Sequence, residues 1–478
     1  MIKKNTQKQD GFLSFAWDNL PTRDRLKLLQ REKKTVWLFG AGASHHYNLN
    51  TCGVKVPLAK GFFEALHALP TSKGFHAHIG PLLSYLHIYR GVHPSKASEW
   101  TENIEDFMTS IESEIEELRK KKINDTMTDE ELHKVISLST TFNNMIFLFA
   151  NVINEAQDGP SYSAYSELLK FCGPNDTFIT FNWDTLLDKA LASTGAWIPN
   201  GGYGIEFSAT FDGVWKDKVC CSQPSPCNWK LLKLHGSTNW LVPYTGINLD
   251  TYEVKSLIGM NNKVFLFWQG SLPFETFKGR WRGGYGPTCY GYYPPNLPCC
   301  FFPEDSLESK DRVIVMSGFK GIFAPFNEPL VQGVPSSPLL VIPVRQKRYD
   351  DYIGTIEHLW KTAEKAFMDA DRIVVIGYSF PSTDKRALQL LSTTLNNRKK
   401  QIDLTLVDPW SDSVALQIEK KNLDLAKTLS LHNIGFEAYI EKLWDQAPQL
   451  MTQSAKDNRE VADWLDRLQA FCNVSSKT

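Results

Sequence analysis

Five short runs of β-branched, aliphatic and aromatic residues punctuate the chain, at 35–39 (TVWLF), 177–181 (TFITF), 231–234 (LLKL), 373–376 (IVVI) and 402–407 (IDLTLV). Each is too short for an ordinary helix and is bounded by turn residues, the pattern of strands buried in a sheet. A further run at 435–440 reads as a late or edge strand. Between the runs the period changes to that of a helix. One helix is predicted over 58–69. Another precedes the 373–376 run, where Ile353, Ile356, Trp360, Ala363 and Phe367 recur on one stripe. Strand and helix therefore alternate. That order predicts an α/β fold, a Rossmann-like parallel sheet with helices on both faces, in which ligands sit beyond the carboxyl ends of the strands.

Two stretches break the alternation. In 75–156 the pattern is helical, carried by Ile104, Phe107, Met108, Ile111 and Ile115 and then by 142–153, and it reads as a helical insertion. In 246–338 Gly, Pro and aromatic residues dominate with little periodicity. A structureless loop of that length is unusual, so some β structure or a lid is expected there. The organisation that follows is an N-terminal helical extension (1–34), a catalytic domain (35–440) containing both insertions, and a C-terminal helical tail (441–478). No internal repeat is present.

Composition narrows the class. The chain has 478 residues, 42% hydrophobic and 22% charged, which is that of a packed globular protein. Its net charge is −1 and its basic clusters are confined to 119–122 and 398–400. These suit solvated helix ends, and no direct nucleic-acid binding is expected. No run approaches the roughly 20 apolar residues of a membrane helix, and the first ten residues lack the apolar core of a signal peptide. Nine cysteines, an odd number, fit a reducing compartment. The expectation is a cytoplasmic protein with no membrane partner.

Candidate chemistry gathers where the strands end. The first run passes into Gly40-Ala41-Gly42-Ala43-Ser44, where glycines let the backbone approach a phosphate. His45 stands where the dehydrogenase fingerprint has its third glycine. Glu64, at about the distance of the ribose acid, falls inside the predicted 58–69 helix, so a nicotinamide dehydrogenase is disfavoured. The second run ends in Phe181-Asn182-Trp183-Asp184 and the third in Leu234-His235-Gly236-Ser237. Asn, Asp and His at two strand ends could position a water and accept its proton. Taken singly they read as well otherwise, Asn182 or Asp184 as caps of a helix beginning near Thr185 and His235 as a core histidine. Gly377-Tyr378-Ser379-Phe380 and Asp408-Pro409 follow the last two runs.

Taken in order, Gly-Ala-Gly-Ala-Ser at 40–44, Phe-Asn-Trp-Asp at 181–184, Leu-His-Gly-Ser at 234–237 and Gly-Tyr-Ser-Phe-Pro-Ser-Thr-Asp at 377–384 resemble the sirtuin-like domain of bacterial antiphage defence proteins. Glu102-Asn103-Ile104-Glu105-Asp106-Phe107 resembles a helical segment of the same group. The resemblance implies an NAD hydrolase that releases nicotinamide and ADP-ribose, with NAD as substrate. Its pyrophosphate would lie at Gly40, Ala41, Gly42 and Ser44, and its nicotinamide ribose near Asn182. His235 would be the general base, and adenosine would lie near Gly377, Ser379 and Asp408. Asp184 is counted with the binding residues and is expected to anchor its loop; Asp384 is expected to cap or position the Gly377 loop. Protein-deacylating sirtuins carry two Cys-x-x-Cys pairs after the histidine. Here Cys220, Cys221 and Cys227 precede it and Cys289, Cys299 and Cys300 follow it without zinc-ribbon spacing, so no metal is expected. The alternatives are an NAD-dependent protein deacylase or ADP-ribosyltransferase, and a non-catalytic NAD or ADP-ribose sensor. The implied partners are a second copy of the chain or a defence protein such as a helicase, an Argonaute or a phage-protein sensor.

Overall fold

A computed structural model describes residues 2–29, 33–50, 52–69, 76–123, 126–207, 209–212, 214–217, 228–243, 245–247, 254–256, 264–268, 336–344, 354–381, 383–397, 402–419 and 429–475. Six strands form the central sheet: β1 (Thr35–Phe39), β2 (Thr177–Thr180), β3 (Lys230–Lys233), β4 (Arg372–Ile376), β5 (Asp403–Val407) and β6 (Leu429–His432). All are parallel, in the order β6-β5-β4-β1-β2-β3. This is the doubly wound order in which the chain runs from the centre to one edge, returns to the centre and runs to the other edge. The reversal falls between β1 and β4, and their carboxyl ends border the crevice that such sheets use for ligands.

Register brings those ends level. Phe39 pairs with Thr180 on one side and Ile376 on the other, Thr180 with Lys233, and Ile376 with Val407. The residues that follow leave the sheet along one line. Every residue of β1 is buried, as a strand at the centre of a helix-flanked sheet must be. The helix Gly354–Asp369 lays Ile356, Trp360, Ala363 and Phe367 into the core as expected from sequence and adds Leu359; Ile353 lies outside the described residues.

Two expectations change. The run at 435–440 is not a strand; Phe436–Trp444 is a helix, and the edge strand β6 precedes it. Phe436, Tyr439, Ile440 and Leu443 are all buried, and their spacing of three, four and seven is a helical face that starts at Gly435. The 58–69 helix is shorter than expected, a 3-10 turn at Ala59–Gly61 followed by Phe62–Ala68.

The helices Phe62–Ala68, His76–Arg90, Ile104–Ile123 and Asp129–Ala156 share a second hydrophobic cluster that includes Phe63, Tyr85, Phe107, Ile111, Leu138 and Leu148. The last helix starts at a reciprocal cap in which Thr128 and Glu131 satisfy each other's backbone N–H. It is long and apolar enough to cross a membrane by length and composition, and 65% of that stretch is buried within the protein.

A second, five-stranded sheet has the order Ser336–Leu340, Gly236–Pro243, Phe265–Phe267, Ala209–Asp212, Val214–Asp217. His235 thus sits on the link between the two sheets. Gly236 makes that link possible: its φ is 78° and a Cβ would lie 1.9 Å from the Leu339 carbonyl oxygen. Of the 246–338 stretch, the described residues are 246–247, 254–256, 264–268 and 336–338, mostly in short strands; the rest of the expected lid lies outside the described residues. At the termini, Leu13 and Trp17 of helix Ile2–Asn19 pack with Met451 of helix Ala447–Asp457.

Candidate active site

The exits of β1 and β4 are pressed together, backbone on backbone. Gly40 N–H donates to the Ile376 carbonyl and Gly42 N–H to the Gly377 carbonyl, both at 3.0 Å. A Cβ on Gly40 would fall 2.5 Å from Gly377 O, and one on Gly377, whose φ is 62°, would fall 2.3 Å from Ala43 N. The glycines expected to admit a phosphate are therefore first required by this loop-to-loop contact. Ala41 is exposed at the crevice and Gly42 is half-buried, whereas Ser44 is fully buried and directed into the protein.

Ser44 is the node that joins β1's exit to β2's. Its hydroxyl lies 3.0 Å from the Tyr165 hydroxyl, receives Asn182 Nδ2 at 3.2 Å and bonds to the Asp184 carboxylate. Asn182 Nδ2 also donates to the Gly40 carbonyl at 2.9 Å. The amide nitrogen is thus spent on holding the two loops, and among the described residues no donor meets Oδ1. Asp184 accepts Leu186 N–H at 3.1 Å and so anchors the turn into helix Leu186–Ser193, whose N-cap position is Thr185. Burial raises the pKa of its carboxyl, opposed by Lys233 and the Leu186 N–H.

Lys233 was not singled out from the sequence. Its side chain is fully buried, with Nζ 3.2 Å from the equally buried Asp188 carboxylate and bonded to the Asp184 carbonyl. Tyr203 donates to the same carboxylate at 2.5 Å and in turn accepts from Asn239 Nδ2 at 3.3 Å. The signal was available, because a lysine inside the apolar run LLKL has to find a charged partner if it stays in the core.

His235 lies two residues beyond Lys233, as Asn182 lies two beyond Thr180, so the register of β2 and β3 sets the two side by side at the sheet's edge. The Phe181 and His235 rings are 4.9 Å apart, and Phe181 also stacks on Tyr378 at 4.3 Å. His235 Nε2 lies 3.2 Å from Asp384 Oδ2, and the Tyr378 hydroxyl donates to that same oxygen at 2.8 Å. Between them Phe380 has a φ of 49°, the one non-glycine residue with positive φ among the described residues. For a bulky side chain that conformation is strained, and strain of this kind gathers at functional sites. The loop after β4 therefore carries a buried carboxylate to the histidine, a pairing that sequence spacing could not show.

The remaining expected binding residues are spread along the same edge. Ser379 is exposed. Asp408, half-buried at the exit of β5, accepts Trp410 N–H at 2.9 Å and donates its own N–H to the His432 carbonyl at 3.1 Å. Trp410 itself is 72% exposed. Among the described residues no group of three or more His, Cys, Asp or Glu could hold a metal ion. The cysteines weighed as zinc ligands, Cys220, Cys221, Cys227, Cys289, Cys299 and Cys300, lie outside the described residues.

No family model matches the sequence, and no curated protein matches it at a significant level. Solved structures with a partial likeness include a Sir2 homologue mutant in complex with ADP-ribose, at 11% identity over 89% of this chain and 96% of that one, with a TM-score of 0.35. A Sir2 homologue in complex with NAD is 11% identical over 88% of this chain and 93% of that one, with a TM-score of 0.34. Sir2 bound to an acetylated peptide is 10% identical over 88% and 96%, with a TM-score of 0.33. At this identity and score nothing those proteins bind is carried over to this chain, whose fold is read from its own sheet.

Proposed function

We propose that the chain is an NAD glycohydrolase that cleaves the bond between nicotinamide and ribose. The observation that supports this most is the pairing of Asn182 and His235 at matched positions beyond β2 and β3, beside the crevice between β1 and β4. That bond is already activated, since nicotinamide leaves neutral from a cationic pyridinium. The protein has to hold the ribose in a reactive geometry, stabilise an oxocarbenium-like transition state and position a water. In this reading Asn182 Oδ1 addresses the water or the ribose hydroxyls. His235 takes one proton from the attacking water and later releases it to solvent. NAD and water give nicotinamide, ADP-ribose and a proton. The backbone of Gly40 to Gly42, with Ala41 at its exposed face, borders the pyrophosphate, and Gly377, Ser379 and Asp408 border the adenosine. Ser44 and Asp184 act through the loops they hold. The setting that fits the sequence resemblance is cytoplasmic NAD depletion in antiphage defence, with activity controlled by self-association or a protein partner.

The test is incubation of purified protein with NAD, with and without an acylated peptide, followed by chromatography of the products. Nicotinamide and ADP-ribose in equal amounts without peptide are expected. Turnover only with peptide would make the chain a deacylase or transferase, and binding without turnover would make it a sensor. Asn182→Ala and His235→Ala should each lower kcat by roughly 100-fold or more, the scale of a positioned acid–base group, with the fold retained by circular dichroism. Wild-type turnover by either variant would remove its residue from the mechanism.

A further inference from the structure

We infer that Asp384 positions His235, holding its Nε2–H so that Nδ1 is the basic nitrogen. The inference rests on the hydrolase reading above for its catalytic consequence but not for the pairing itself. Asp384 is 1% exposed and directly precedes helix Lys385–Asn397, where a carboxylate that caps the helix is ordinary. Capping does not account for Oδ2. That oxygen accepts the Tyr378 hydroxyl at 2.8 Å and faces His235 Nε2 at 3.2 Å, partners supplied by the loop after β4 and by the exit of β3. A carboxylate so buried is costly unless charge-assisted bonds satisfy it, and the imidazole supplies one. A neutral histidine has one N–H. If it is given to Asp384, the lone pair resides on Nδ1, and when Nδ1 takes a proton the carboxylate is in place to stabilise the imidazolium.

Among the described residues, the exit of β2 brings Phe181 and Asn182 to this site, and Trp183 Nε1 and Val341 N–H donate to the His235 carbonyl at 3.0 and 2.9 Å. Lys233 is engaged by Asp188 and the Asp184 carbonyl. From the helical segment, Glu105 accepts the hydroxyl of the neighbouring Thr383 at 3.2 Å. Of the groups named here, Asp384 is the carboxylate within hydrogen-bond reach of the ring, and Tyr378 is its donor.

Asp384→Asn separates pairing from capping, because asparagine caps a helix about as well as aspartate but carries no charge. The experiment follows kcat and kcat/KM for NAD against pH, ADP-ribose affinity by calorimetry, and the titration of the His235 imidazole by NMR, assigned with His235→Gln. In Asp384→Asn, kcat is expected to fall roughly 10-fold or more, as when an orienting carboxylate is lost. ADP-ribose affinity should stay within about twofold. Both the His235 titration and the acid limb of the rate profile should move to lower pH, since a neighbouring negative charge favours the protonated ring. Tyr378→Phe keeps the stacked ring and removes one donor from Oδ2, so it should move both to higher pH; it carries the test if the asparagine variant does not fold. An unmoved His235 titration in either folded variant overturns the inference, and so does a rise in turnover in Asp384→Asn, which would make the carboxylate a latch. Wild-type protein that does not cleave NAD, but whose His235 titration moves in Asp384→Asn, upholds the pairing and rejects the hydrolase reading.

Discussion

Among single residues, buried charges carry the sharpest consequences. Lys233→Met would leave the Asp188 carboxylate uncompensated in the core and should cost about 3–5 kcal/mol, read as a lower urea midpoint. Asp176, at the opposite end of the sheet from the site, accepts the N–H groups of Thr35 and Gly173 and the Trp37 indole. Burial outweighs these bonds and pushes its carboxyl up to about 6. An unfolded aspartate ionises near pH ~4. From about pH 4 to 6 the unfolded chain therefore gives up this proton while the folded one keeps it, and rising pH withdraws stability, in total about 3 kcal/mol. Melting temperatures taken across that window should show a downward contribution that Asp176→Asn lacks. If Asp408 borders the adenosine ribose as proposed, it bears on cofactor choice. A 2′-phosphate on the adenosine ribose would meet its carboxylate, so NAD should be turned over in preference to NADP, and equal kcat/KM for the two would remove Asp408 from that place. At this scale the sequence was informative about position: Asn182 and His235 do follow neighbouring strands at matched places. It marked Asp384 only for its own loop and did not show its approach to His235, because that contact depends on how two distant loops meet.

Five of the six strands of the central sheet were legible because each is an apolar, short run that ends in a glycine or polar motif within a few residues; β6, whose Ser430 and Leu431 are exposed, was not. The second sheet was not, since its strands are brief and separated by long stretches without periodicity. The misassigned helix at 436–444 shows the limit of short windows: six residues of 435–440 resemble a strand, and only the inclusion of Leu443 completes the helical face. The contact between the exits of β1 and β4 should be intolerant of change. Gly377→Ala would place a Cβ against Ala43 N in a left-handed backbone. Loss of NAD turnover together with a melting temperature several degrees lower is expected, whereas a neutral result would mean that the two loops separate at little cost. The helical segment touches the site twice, through Phe149 packed against Trp183 at 5.6 Å and through Glu105 on Thr383. Thr383→Val should therefore reduce kcat modestly while leaving the segment folded, which proteolysis protection would report.

For the molecule as a whole, the NAD cleavage proposed above would need restraint in the cell that makes it. The dilute isolated chain is expected to be weakly active and to gain turnover on self-association or partner binding; steady hydrolysis independent of concentration would contradict this. Elemental analysis should find less than about one zinc per chain, on the spacing of its cysteines. The order of strands adds a restraint in time. β1 is completed at residue 39, yet its neighbour on one side is β4, with Thr35 opposite Arg372. As the chain leaves the ribosome, β1, β2 and β3 can assemble early, but β1 keeps an unpaired edge until Arg372–Ile376 has been made. Asn182 and His235 are then already present, while Gly377 and Asp384 are not. In the hydrolase reading proposed above, a nascent chain that has not yet reached β4 would hold Asn182 and His235 without the carboxylate that faces the histidine, and would be expected to be inactive.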